Sequence, residues 1–389
     1  MLSFAADAIK ATTYGQKTFC KFLSVNDTNP GQSHQAGIYM PQNAYPILFD
    51  EPGVKGENKD RYVTVKWHLE EVFDCEVRFI YYGSGTRNEY RMTHTPVFST
   101  EYTGALFVFV QCGEQEYQAF VLNTDEDINL YLDAFGLSPV DTNRIISHGI
   151  ESSPDSENKL IAKFIEELNQ KDIDFPNSET MSLMAQQICD AARDHVEFIV
   201  SNPDQKIVDW IDVEFNIFKA LEYSRYGSVV KQGFETVDSF INLANQVLNR
   251  RKSRAGKSLE HHLAAIFKGN EIPFESQVVT EGNKRPDFIF PSSAAYHDFS
   301  FPTHKLVSLA AKTTCKDRWR QILNEADRLK NGKKYLCTLQ QGVSLAQMSE
   351  MESENVVLVV PKPYIKCFPK EKQSDILSVG QFVSYLKSL

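Results

Sequence analysis

No two of the seven cysteines (Cys20, Cys75, Cys112, Cys189, Cys315, Cys337, Cys367) stand at C-x-x-C spacing, and their number is odd. A zinc ribbon and a disulfide framework are both excluded by that usage, which fits a reducing compartment. Nor does any window approach the roughly 18 apolar residues that a membrane-spanning helix needs. The opening residues, MLSFAAD, lack a cationic segment followed by a long apolar one, so the expectation is a soluble cytoplasmic protein without a secretory signal. Internal repeats and disorder-prone tracts are missing as well. So is an excess of positive charge: 41 Lys and Arg against 51 Asp and Glu give a net charge of -10. On average that opposes a nucleic-acid partner, whose phosphates must be met by Lys and Arg.

The average conceals patches. Acid is concentrated in TDED at 124–127 and ESSPDSE at 151–157, whereas RRKSRAGK at 250–257 puts five cations into eight positions. With 389 residues, 42 % of them hydrophobic and 12 % aromatic, the chain can build two ordinary cores.

From 16 to 123 the pattern is short runs rich in Val, Ile, Phe and Tyr (TFCKFLSV, AGIYMP, RYVTVKWHL, EVRFIYY, GALFVFVQC, YQAFVLN) separated by turn residues. That predicts an all-β barrel or sandwich. A short helix at 128–136 follows, then a polar stretch at 148–159 that reads as a linker. The period next becomes helical at 160–170, 178–200, 208–226 and 237–249, with another helix opening at 258. Strands return at 277–280, 286–290, 306–313, 335–339 and 356–360, with a helix at 316–330 between the third and fourth. Such interleaving predicts an α/β core with a mixed sheet.

Lys312 closes the apolar run LVSLAAK, which places an ammonium at the end of a buried strand, and Asp287 in RPDFIF sets a carboxylate beside a second strand. Pro-Asp followed about 25 residues later by a strand-end Lys is the skeleton of PD-(D/E)XK nucleases, whose second acid usually lies two residues before the Lys. Here that position is Ala310. The missing acid can come from the following helix. Over 316–330, Trp319, Ile322, Leu323, Ala326 and Leu329 form a buried stripe at about 100° per residue, with Glu325 on its edge. Phosphodiester hydrolysis needs oxygen ligands for Mg²⁺ and a cation near the attacking water. Asp287 and Glu325 supply ligands, Lys312 the cation, and Glu260 in SLEHHL is a candidate for a second metal or a metal-bound water. The neighbouring His261-His262 pair has no partner at zinc-ligand spacing.

The segments RRKSRAGKSLEHHL, TEGNKRPDFIFPSSAAYHD, AAKTTCKDRWRQILNEAD and LQQGVSLAQM resemble the catalytic domain of the EcoRII-type restriction endonucleases. In the same order LSVNDT, HQAGIYMP, IYYGSGTRNEYR and YTGAL resemble that family's effector domain, so the likeness covers essentially the whole chain. The resemblance implies a DNA-binding pseudobarrel at 1–150, a linker at 151–174, and a PD-(D/E)XK endonuclease domain with a helical extension at 175–389. It implies a Mg²⁺-dependent type II site-specific deoxyribonuclease, a homodimer that cuts double-stranded DNA at a CCWGG-like site under control of effector DNA. Its catalytic set becomes Glu260, Asp287, Lys312 and Glu325, the second acid having migrated to the next helix, and the metal ligands become Asp287, Glu325 and Glu260. Lys316, Asp317 and Arg318 match the element that reads the outer C·G pairs, and Arg251 and Tyr296 match positions near the DNA. In the effector domain the DNA-gripping arms carry Lys21, Asn26, Asp27, Thr28, His34, Gln35, Arg87, Asn88, Glu89 and Arg91. A different class of function, a DNA-binding regulator on an inactive nuclease fold, would want a charge-removing change at Asp287, Lys312 or Glu325, and all three charges are present.

Overall fold

In the stretch from Val63 to Trp67 the apolar residues Val63, Val65 and Trp67 are buried while Thr64 and Lys66 face solvent, the period-two pattern of a strand with one dry face. The computed structural model of the chain describes residues 3–28, 37–96, 98–146, 155–193 and 195–389. In the N-terminal half, strands β1 (Lys17–Phe22), β2 (Ile38–Met40), β3 (Lys59–His68), β4 (Val72–Tyr82), β5 (Glu89–Thr93), β6 (Leu106–Gln111), β7 (Tyr117–Leu122) and β8 (Arg144–Ile145) form one sheet. Its order is β2-β5-β4-β3-β7-β6-β1-β8, antiparallel throughout except for β3 and β7. Ile38 and Met40 from one end of the sheet share a core with Phe19 and Ile145 from the other, so the sheet curls on itself, as a pseudobarrel requires. The opposite face of β1, β6 and β7 is also dry, because helices α1 (Ala5–Tyr14) and α2 (Asp125–Phe135) pack on it through Ala8, Ile128 and Tyr131. Helix α2 starts where the Thr124 side chain accepts from the Asp127 amide and stops at Gly136, whose φ of 65° is left-handed, a conformation that glycine adopts without steric cost.

The C-terminal half opens with helices α3 (Asp155–Gln170), α4 (Ser178–Arg193), α5 (Pro203–Gln232) and α6 (Val237–Gly269). A five-stranded mixed sheet follows: β9 (Glu275–Ser276), β10 (Phe288–Phe290), β11 (Val307–Lys312), β12 (Lys334–Thr338) and β13 (Val356–Val359), ordered β13-β12-β11-β10-β9. β11, β12 and β13 run parallel, while β10 is antiparallel to both β9 and β11. Val307, Leu309 and Ala311 face the helices, against Leu259, Leu263, Ile266 and Phe267 of α6. Ala310 faces the other way, into a cluster with Trp319, Ile322 and Leu336.

Four expectations change, the first being the strand at 277–280, which is irregular because β9 ends at Ser276. The polar linker at 151–174 is corrected in part, because α3 occupies 155–170 and buries Ile161, Phe164 and Leu168 in the same core as the catalytic strands. The separate helices at 237–249 and from 258 are one continuous helix, so the basic run 250–257 lies in its middle. The helix expected at 316–330 is instead a 3-10 segment, Arg318–Asn324, followed by another at Asp327–Leu329. Trp319 and Ile322 stay buried because three residues also make one turn of a 3-10 helix.

Phe164 is the sharpest test of the revised boundary. Phe164→Ala should destabilise the catalytic half by about 3–5 kcal/mol, the usual cost of emptying a buried aromatic site, and a fragment beginning at 175 should unfold at lower denaturant concentration than one beginning at 155. Chemical denaturation of the two fragments decides it; equal midpoints would place α3 outside the folding unit.

Candidate active site

β10 and β11 are paired so that Phe288 faces Leu309, which carries Asp287 to the end of β10 where it meets the close of β11. Its Oδ2 accepts the Ala311 backbone N–H at 2.8 Å and lies 3.2 Å from Lys312 Nζ. Its Oδ1 accepts from Gln277 Nε2 at 3.0 Å. The same Gln277 amide donates to Glu260 Oε2 at 3.1 Å, and Lys257 Nζ, one turn before Glu260 on α6, lies 3.0 Å from that oxygen. Glu260, Asp287 and Lys312 are thereby joined through one side chain, and sequence reasoning missed Gln277. No signal in composition or spacing marks it.

Glu325 follows the first 3-10 segment, and its backbone carbonyl accepts from Thr280 Oγ1 at 2.6 Å. Burial pushes its carboxyl up to about 7; the Lys312 charge opposes the shift and Asp287 adds to it. No group among the described residues donates a hydrogen bond to that carboxylate. Ala310, 3 % exposed, leaves no room for a hydrated acid on its own strand, so the acid near Lys312 comes from the segment that packs over Ala310. Among the described residues no three His, Cys, Asp or Glu side chains converge as a ready-made metal cage. A desolvated, unbonded carboxylate beside a second one nevertheless suits a hard cation that binds through one or two carboxylates and keeps its waters. His261 and His262 have other partners, Ser178 Oγ at 3.0 Å and Glu214 Oε2 at 2.9 Å.

Lys316 sits beneath the N-terminal half, while Asp317 is exposed and Arg318 half-exposed at its edge. Lys316 is 1 % exposed, and its ammonium donates to the carbonyls of Glu101 and Thr103 at 3.2 and 3.1 Å and to Asn123 Oδ1. Burial lowers its pKa to about 8. Asp125, at the start of α2, accepts the backbone N–H groups of Asp317 and Arg318 through Oδ2, and its own N–H donates to Asp317. At the other end of α2 the carbonyls of Ala134, Phe135 and Gly136 accept from Arg251, Lys219 and Arg254, cations placed where a helix end is partially negative.

Other expected DNA contacts are committed elsewhere in this arrangement. Arg251 also binds Glu222 at 2.8 Å. Tyr296 is buried with Ile289 and Leu306, and its hydroxyl donates to Glu281 at 2.7 Å. Lys21 and Asp27 form a buried pair at 2.9 Å, Thr28 bonds Thr103, and Arg91 is buried beside Glu89 at 3.1 Å; these four occupy interior positions. Asn26, Arg87 and Asn88 are exposed and Glu89 half-exposed. His34 and Gln35 lie outside the described residues.

Asp287 and Lys312 meet at the end of a mixed sheet, with Glu325 electrostatically coupled to both and Glu260 tied in through Gln277, an arrangement that fits the PD-(D/E)XK centre expected from the sequence. The family described as EcoRII C terminal matches residues 218–383, and the one described as restriction endonuclease EcoRII, N-terminal, matches residues 12–138. The chain is 37 % identical over 391 aligned residues to the type II restriction enzyme EcoRII of Escherichia coli, covering 95 % of this chain and 94 % of that protein. With the type II restriction enzyme SsoII of Shigella sonnei it shares 27 % identity over 146 residues, 36 % of this chain and 47 % of that one. The solved structure of metal-depleted Ecl18kI in complex with uncleaved, modified DNA aligns with a TM-score of 0.46 and 19 % identity, covering 61 % of this chain and 85 % of that one. The chain belongs to the EcoRII family of type II restriction enzymes, and it is a site-specific restriction endonuclease.

If Glu325 holds a divalent cation, its raised carboxyl sets a pH dependence. A cation binds the ionised form, so affinity for Mn²⁺ in the DNA-free enzyme should rise by up to about tenfold per pH unit below 7 and level off above it. Glu325→Gln should flatten the dependence near pH 7. Electron paramagnetic resonance titrations between pH 5.5 and 8.5 test this, and an unchanged slope in the variant would assign the proton elsewhere.

Proposed function

We propose that the enzyme cuts both strands of double-stranded DNA at a CCWGG-like site with Mg²⁺ held by Asp287, Glu325 and Glu260, and that a second copy of the site, bound by the N-terminal domain, controls cleavage. The metal would supply positive charge at the scissile phosphate. Lys312, fixed by Asp287, would orient the attacking water, and Asp287 would keep its own direction through the Ala311 amide. Lys316 and Arg318 would donate to guanine O6 and N7 while Asp317 accepts from cytosine N4.

The observation that carries the regulatory part is the burial of Lys316 under Glu101, Thr103 and Asn123, with Asp125 on the next two amides. A base pair cannot reach Lys316 until the N-terminal domain moves. Effector DNA would shift that equilibrium by binding the open form better, through Asn26, Arg87, Asn88 and Glu89, with Lys21, Asp27, Thr28 and Arg91 supporting them from within; the resemblance adds His34 and Gln35, which lie outside the described residues. A palindromic duplex asks for a two-fold pair of subunits. The exposed apolar ends of α5 and α6, with Val230, Val237, Phe240 and Ile241, suit a second copy. The described helices include none long and apolar enough to cross a membrane. With Asp287, Lys312 and Glu325 assembled, an inactive regulator has no observation in its favour.

A fragment beginning at 155 should cut single-site plasmids that the full-length enzyme cuts poorly, and Asp125→Ala should move the intact enzyme in the same direction; equal preference for multi-site plasmids in all three would remove autoinhibition. Lys312→Ala, Asp287→Ala and Glu325→Ala should each abolish cleavage while site-specific binding in gel shifts persists. In the 155–389 fragment, Arg318→Ala should lose about 1–3 kcal/mol of discrimination between specific and non-specific duplex. A uniform loss on both would make Arg318 a phosphate contact.

A further inference from the structure

Glu260 and Asp287 come from a helix and a strand with no backbone hydrogen bond between them, and carboxylates repel when both are ionised. What joins them is Gln277. Just past the two-residue strand β9, its backbone turns left-handed with φ 55°, an uncommon conformation for a side chain other than Gly, Asn or Asp. Its N–H donates to the Asp287 carbonyl at 3.2 Å, so the residue that carries the amide is tethered to the residue whose carboxylate it serves. The Nε2 group then has one hydrogen for Asp287 Oδ1 at 3.0 Å and one for Glu260 Oε2 at 3.1 Å. Both neighbours are acceptors only when ionised, which fixes the orientation of the amide.

The remaining donor to Glu260 among the described residues is Lys257, half-exposed on the same helix, and such exposed pairs hold a side chain weakly. Asp287 has other anchors in Ala311 and Lys312, whereas Glu260 has no second link to the site. We propose that Gln277 is a positioning residue that ties Glu260 to Asp287, so that the two carboxylates face an incoming divalent cation as one unit. This rests on the metal-assisted reading above and goes beyond it by naming the residue that makes Glu260 part of the centre.

Gln277→Met keeps the bulk and the backbone bond and removes both side-chain donors. In the full-length enzyme it should weaken Mn²⁺ binding without DNA, read by electron paramagnetic resonance, by about tenfold, the usual effect of losing a group that orients a metal ligand. The Mg²⁺ concentration for half-maximal cleavage should rise by a similar factor, while kcat at saturating Mg²⁺ and the melting temperature stay near those of the parent enzyme. In a Glu260→Ala background, Gln277→Met should change Mn²⁺ affinity little further, because the group it positions is gone. Unchanged Mn²⁺ affinity in the single variant, or an undiminished effect in the Glu260→Ala background, overturns the proposal. The Mn²⁺ titrations decide this even if the proposed cleavage reaction fails, since they need no turnover.

Discussion

An ionised side chain taken out of water persists only where hydrogen bonds replace its hydration, and the functional residues of this chain are placed by that requirement. Asp287 is held by a backbone amide, an ammonium and a side-chain amide at once. Lys316 is held by two carbonyls and an asparagine from the other half of the chain. In the β-rich half, the Lys21 ammonium and the Ser24 hydroxyl and amide all donate to Asp27, and despite burial these hold its carboxyl below the usual range. Many of these partners are main-chain groups, so charge positions follow from strand register and helix ends more than from side-chain rotamers. Glu325 is the exception. Its carboxyl is half-buried with no donor among the described residues, and burial pushes it up to about 7.

Helix α2 connects the two halves electrostatically. Its N-terminal Asp125 reaches the amides of 317 and 318, and its C-terminal carbonyls collect Arg251, Lys219 and Arg254. In the proposed mechanism the Lys316 ammonium that would read a base pair is satisfied by protein acceptors while the enzyme is closed. Opening then exchanges one set of hydrogen bonds for another, so a modest difference in affinity for effector DNA suffices to move the population. An interface built from apolar side chains would offer no such exchange.

The chain pattern reveals a good deal. LVSLAAK and DFIF announce a buried strand ending in Lys and a second strand headed by Asp, because apolar runs of that length with β-branched and aromatic residues fit a covered sheet. The change from period two to period 3.6 near 160 separates the halves. The 316–330 segment misleads because its apolar spacing suits an α-helix, yet it is tied at one end by Asp125 and near the other by Thr280. A 3-10 path rises about 2.0 Å per residue against 1.5 for an α-helix and spans more distance for the same residues. Polar spacing likewise made the start of α3 look like a linker, although one face of that helix is buried.

Local sequence therefore determined the division into a β-rich and an α/β half, the strands that carry the site, and the chemical types of Asp287, Lys312, Glu325 and Glu260, since hydrophobic period and residue chemistry are carried by neighbours along the chain. Tertiary structure alone decided that Gln277 bridges two acids, that Glu325 loses its hydration, and that Lys316, Lys21 and Arg91 turn inward. For Lys316 the partners lie some two hundred positions away along the chain, and even for Gln277 they come from a different helix and a different strand end. Burial and hydrogen-bond partners are properties of the space that distant segments enclose, and one-dimensional spacing does not encode them.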